Sequence, residues 1–88
     1  MAWTIKYTDT ALVQLRKLDK QTARRIINYM DEQVAALEDP RAKGKALVGP
    51  LGGLWRYRVG DYRIICDIHD DELHILVVKM GNRKDVYR

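Results

Sequence analysis

Eighty-eight residues with 16 Lys/Arg, 12 Asp/Glu and a formal net charge of +4 suffice for one small core, so residues 1–88 are read as a single domain. No apolar run approaches the ~20 residues of a membrane span, and the first residues lack the apolar core of a secretory signal. A lone cysteine, Cys66, excludes an internal disulfide, and together these features suit a soluble protein of a reducing cytoplasm.

Trp3, Ile5 and Tyr7 alternate with Ala2, Thr4 and Lys6, which predicts a half-buried strand over 2–7. Thr8 or Asp9 is suited to cap a helix over 9–18 whose apolar face is Ala11, Leu12, Leu15 and Leu18. Asp19 is placed to cap a second helix, with the stripe Ala23, Ile26, Ile27, Met30, Val34 and Leu37 running to position 37 or 38. So short a connection predicts an αα-hairpin lying on the sheet. Among the basic residues of these helices, Arg24 and Arg25 are candidates for holding a large polyanion, although Asp19, Asp31 and Glu32 stand beside them. Pro40 stops the helix, and the glycines of 41–53 predict a loop, pinned by Leu47 and Leu51 and carrying two further candidate contacts, Lys43 and Lys45.

Residues 54–63, Leu-Trp-Arg-Tyr-Arg-Val-Gly-Asp-Tyr-Arg, alternate, turn and alternate again, which predicts a hairpin with Gly60 and Asp61 in a type II′ turn. In that register Val59 faces Tyr62, Arg58 faces Arg63 and Trp55 faces Cys66. One face collects Trp55, Tyr57, Val59, Tyr62, Ile64 and Cys66, which the helices need as a floor. The other collects Arg56, Arg58 and Arg63, expected to lie open to solvent. Like charges directly opposite each other destabilise a sheet, so three arginines on one hairpin face point to an anion, and the guanidinium fork suits phosphate. A turn at Asp70-Asp71 and an apolar strand over 72–80 follow, and Gly81 is expected to lead the chain out of that strand. The whole reads as β-α-α-β-β-β, an α+β fold with a largely antiparallel sheet and both helices on one face.

Charge agrees with that reading. Residues 1–39 carry six basic and six acidic residues, whereas 40–88 carry ten and six, so the basic half suits a polyanion or an acidic protein partner. A metal site at His69, Asp70, Asp71, Glu72 and His74 is not expected, because the two histidines should stand at opposite ends of their turn, and no cofactor motif is present. Cys66 falls on the apolar face and reads as a core residue. What remains is cationic chemistry on a phosphodiester. RNA is cut by its own 2′-OH once attack is oriented, phosphoryl charge stabilised and protons moved.

The order strand–helix–helix–Pro loop–hairpin, the 54–63 segment and the ending Gly81-Asn-Arg83 … Val86-Tyr87 resemble the RelE/ParE toxin superfamily over essentially the whole chain. The tail arginine and tyrosine are more similar to the RelE branch, whose members cleave mRNA in the ribosomal A site, than to the ParE branch, whose members poison DNA gyrase. The resemblance implies roles by position. Arg56 and Arg58 match basic strand residues that contact and activate the scissile phosphate, and Arg63 matches the arginine that stabilises the transition state. Arg83 matches a tail arginine at the phosphate or leaving group, and Tyr87 a tyrosine that stacks on the substrate or takes the 2′-OH proton. Arginines stand at 56 and 58 where the familiar pattern has lysines, which favours electrostatic stabilisation over general acid catalysis at Arg58. The resemblance also implies a cognate antitoxin as partner, ribosome and mRNA as target, a monomer when free and a hetero-oligomer with antitoxin.

Overall fold

Thr8 and Asp19 set the register of the helical layer. The Thr8 hydroxyl accepts from Ala11 N at 3.0 Å and donates to Val78 O at 2.6 Å, so one side chain caps α1 (Asp9–Arg16) and ties it to the sheet. Asp19 caps α2 (Lys20–Tyr29): its carboxylate accepts from Thr22 Oγ1 at 2.6 Å and from Thr22 N at 3.1 Å, and these bonds hold its pKa below the usual aspartate value. The computed structural model describes residues 3–87, and Ala2, the expected first strand residue, lies outside them.

The second helix is shorter than its apolar stripe predicts. Past Tyr29 the chain makes one π-helical turn, Met30–Val34, in which Ala35 N donates to Met30 O at 2.8 Å. The wider turn buries Met30, Val34 and Ala35 together. It also directs the Ala35 carbonyl to Trp3 N (2.9 Å), while the Trp3 indole donates to Glu38 O (3.2 Å). Carbonyls that a helix end leaves unpaired are thus taken up by a residue next to the first strand.

Among the described residues, five strands form one sheet in the order β1-β5-β4-β3-β2. They are β1 (Thr4–Tyr7), β2 (Lys45–Ala46), β3 (Trp55–Val59), β4 (Tyr62–His69) and β5 (His74–Asn82). Only β1 with β5 is parallel. The short β2 lies within the segment expected to be loop, and Leu47 and Leu51 there are half-buried, outside the core. Burial on the helix side falls on Tyr57, Val59, Ile64, Cys66, Ile75, Val77 and Met80, packed against Ala11, Leu15, Ile26, Met30 and Val34. Val77 and Met80 are three apart yet share a face, because Ile65 pairs with Lys79 while Cys66 pairs with Val77, leaving Val78 as a bulge. Tyr57 closes one end of the core. Its hydroxyl donates to Pro40 O at 2.7 Å, and a β-carbon at Gly44 would stand 3.0 Å from its ring, so only glycine fits there without displacement. Burial pushes the Tyr57 phenol and the Cys66 thiol above their ordinary pKa values.

Candidate functional site

The hairpin register is the one the alternation predicts. Val59 pairs with Tyr62, Arg58 with Arg63, Tyr57 with Ile64 and Trp55 with Cys66. Gly60 has φ +60, while Asp61 is not in the left-handed region, as a type II′ turn requires. Directly paired residues share a face of the sheet, so the face opposite the helices can be read across the strands. One row is Lys45, Arg56, Ile65 and Lys79; the next is Arg58, Arg63 and Gly81. Lys79 is a member the sequence reading missed, since β5 looks apolar on both faces and only the bulge at Val78 turns Lys79 to this side.

That face is not the open surface expected from the sequence. Arg63 is 8% exposed, Ile65 fully buried and Val86 5% exposed. Gly81 does not lead the chain out of the strand; it sits inside β5 opposite Arg63, and Val86 packs over it, with Cα and Cβ 3.6 Å from where a β-carbon would stand, an ordinary packing distance. The tail 83–87 therefore turns back at the Arg63 end of the sheet. It is held by Arg83 N donating to Asp61 O (2.9 Å), Asp85 N and Val86 N donating to Asn82 O (2.8 and 3.0 Å) and Lys84 N donating to Asn82 Oδ1 (3.1 Å). Tyr87 follows Val86 and is 46% exposed.

The Arg58–Arg63 opposition is relieved by the same burial. Arg63 Nη1 folds back onto the turn, donating to Gly60 O at 3.2 Å and Tyr62 O at 3.3 Å, while Arg58 extends into solvent. Arg25 approaches that turn from the helix layer, its Nη1 3.1 Å from where a Gly60 β-carbon would stand. Arg56 is half-buried, and its Nε is shielded without a hydrogen-bond partner among the described residues. An orphaned donor of this kind is costly unless an acceptor arrives. Among the described residues, Arg56, Arg58, Arg63 and Arg83 make no ion pair.

Residues 5–87 match the family model of the ParE toxin of type II toxin-antitoxin systems, parDE. The chain belongs to that family. This ParE-family toxin, in the wider RelE/ParE superfamily, is 27% identical to Toxin RelG of Mycobacterium tuberculosis over 88 residues, covering 100% of this chain and 99% of that one. Its fold superposes on a chain of the toxin-antitoxin complex RelBE2 of M. tuberculosis with a TM-score of 0.85 at 25% identity, covering 97% of this chain and 95% of that one. For the archaeal RelE-RelB complex of Pyrococcus horikoshii the TM-score is 0.72 at 27% identity, covering 98% and 100%. No helix among the described residues of the toxin is long and apolar enough to cross a membrane.

The other expected contacts of the ParE-family toxin scatter. Lys45 joins the cationic face, whereas Lys43 is exposed and donates to Gln33 Oε1 at 3.0 Å. Arg24 is exposed in the helix layer, on the other side of the sheet from Arg56 and Arg58. The two histidines, expected to stand apart, instead pair directly: His69 is opposite His74, with ring centroids 4.6 Å apart. The reason is the turn, which spans residues 70–73 rather than two residues and moves the register by two.

Proposed function

We propose that this toxin is an endoribonuclease that cuts messenger RNA in the ribosomal A site. The observation that carries the reading is the buried, turn-anchored Arg63 amid Arg56, Arg58, Lys79 and Lys45 on one face, with no carboxylate among the described residues paired to these arginines. A fixed guanidinium stabilises charge as it develops on a phosphoryl oxygen without reorganising during the reaction. Arg58 and Arg56 hold the scissile phosphate, the shielded Arg56 Nε supplying one donor. The 2′-oxygen bonds to phosphorus as the P–O5′ bond breaks, giving a 2′,3′-cyclic phosphate and a 5′-hydroxyl. Tyr87, carried to this end of the sheet by the anchored Val86, stacks on the substrate and accepts the 2′-OH proton as its own hydroxyl proton passes to water, while Arg83 neutralises the leaving 5′-oxygen until that oxygen takes a proton from water. Both histidines lie at the far end of β4 and β5, so no imidazole serves as base here. The missing orientation of the 2′-OH is supplied by the ribosome.

A cognate antitoxin is the second partner of this reading. Among the similar structures, RelBE2 is a toxin-antitoxin complex and the archaeal one a RelE-RelB complex, and an acidic or amphipathic segment laid over the arginines would neutralise them.

Primer extension on a translated message tests the reading: cuts at fixed codon positions are expected with wild-type protein, and much weaker cutting with Arg58→Ala, whose side chain is exposed. The family model is described by its ParE member, which gives the gyrase-directed reading its standing. An intact message accompanied by DNA breaks would establish that reading instead.

A further inference from the structure

At the end of β4 and β5 remote from the arginines, three side chains of metal-binding type converge. The ligand atoms of His69, Glu72 and His74 all lie within 4.8 Å of one another. Two come from directly paired strand positions, the placement that holds a ligand pair most rigidly. The third comes from the turn, where Leu73 has φ +51, a left-handed conformation unfavourable for leucine, next to both Glu72 and His74.

Neither histidine has the contacts of a merely packed one. His74, whose side chain is 12% exposed, has Nδ1 3.0 Å from Glu72 Oε1. His69 Nε2 is 3.1 Å from Asp67 Oδ2 but off the hydrogen-bonding direction, so this shielded nitrogen has no hydrogen bond. Beside them a recess of about 250 Å³ is lined by His69, Asp70, Asp71 and Glu72. Donors around a tetrahedral zinc, each at ~2.0–2.1 Å, stand about 3.3 Å apart. The Glu72–His74 pair already meets that spacing, and rotation of the partly exposed His69 and Glu72 side chains closes the remainder.

We propose that His69, Glu72 and His74 bind one borderline divalent metal ion, with Zn²⁺ as the physiological choice and Asp67 or water completing four-coordination. Two imidazoles with one carboxylate favour zinc, nickel or copper over magnesium or calcium, which take all-oxygen shells. The surrounding acidic side chains draw the cation in, and the ion fastens β4 to β5 at the end opposite the arginine cluster.

Calorimetric titration of ZnCl₂ into protein freed of any histidine tag tests this, with CoCl₂ absorption as a second readout. One saturable site per chain, an intense visible cobalt band of tetrahedral type, and a midpoint of thermal unfolding raised by about 10 °C at a hundredfold excess over the Kd are expected. Glu72→Gln, at an exposed position, and His74→Gln should each lower affinity by ~10-fold or more, with unfolding midpoints in the absence of metal confirming that they fold. Absence of saturable binding, or binding unchanged in both variants, would overturn the proposal.

Discussion

The two ends of β4 handle charge in opposite ways. At the His69 end every carboxylate with a close partner is matched to a basic or titratable group: Asp67 to His69, Glu72 to His74, and Asp70 to Arg41, whose Nη1 and Nη2 grip both carboxylate oxygens at 3.0 and 2.6 Å. At the Arg63 end, among the described residues, Arg63 is matched to backbone carbonyls, and Arg56, Arg58 and Arg83 make no ion pair. Asp67, Asp70 and Glu72 are thus engaged at the His69 end, while Asp61 in the hairpin turn and Asp85 in the tail are the acids nearer the arginines. The proposed binding surface differs from an ordinary basic surface in where its paired acids stand, not in the net charge of +4.

Removing Arg63 should break the contrast most sharply. Arg63→Ala is expected to lower cleavage of ribosome-bound message by ~100- to 1,000-fold, the usual loss for a preorganised donor. Because two turn hydrogen bonds also go, stability should fall by ~1 kcal/mol, and a urea melt separates that loss from the catalytic one. Wild-type toxicity from a well-expressed Arg63→Ala protein would remove the cationic mechanism. Next in size is Tyr87. Its Phe variant should lose ~10- to 100-fold in single-turnover cleavage, within or below the range of a positioned acid or base, and the Ala variant more, since stacking is lost as well. Equal losses in both would assign the whole effect to the hydroxyl.

The tyrosine beneath β2 sharpens the comparison from the structural side. Gly44→Ala pushes a methyl against the Tyr57 ring and should cost ~1–3 kcal/mol in chemical denaturation, without changing cleavage per folded molecule. The smallest effect belongs to the acidic end. Hydrogen bonds from Arg41 hold the Asp70 carboxyl below its usual pKa, so its contribution is complete above the unfolded value of ~3.9 and is lost as pH falls through the lower folded value. Asp70→Asn should flatten the acid limb of stability against pH, most visibly below about pH 4, and thermal melts across that limb would show it. An unchanged slope would mean that the Arg41 grip contributes nothing in solution.

The sequence revealed the hairpin most fully, because period-two alternation and a glycine at position 60 fix both the faces and the register. The caps at Thr8 and Asp19 were equally legible, being local. Lys79 was not, because a single bulged residue at Val78 reverses the facing of everything after it. The π turn escaped for a related reason: Met30, Val34 and Leu37 fit a regular helix as well as the observed one. The burial of Arg63 depends on the tail folding into the space over Gly81, and the meeting of His69 with His74 depends on two extra turn residues. Neither leaves a periodic trace.

The parallel pairing of β1 with β5 has a consequence in time. Thr4 finds its partner at His74 and Tyr7 at Val77, so the first strand waits for nearly the whole chain, and such distant pairings are the slow part of folding. β3 and β4 can pair through their two-residue turn without the first strand, but the cationic row also needs Lys79 and Gly81 of β5, the strand that β1 waits for. The cationic face therefore cannot be complete before the strand on which β1 docks is in place.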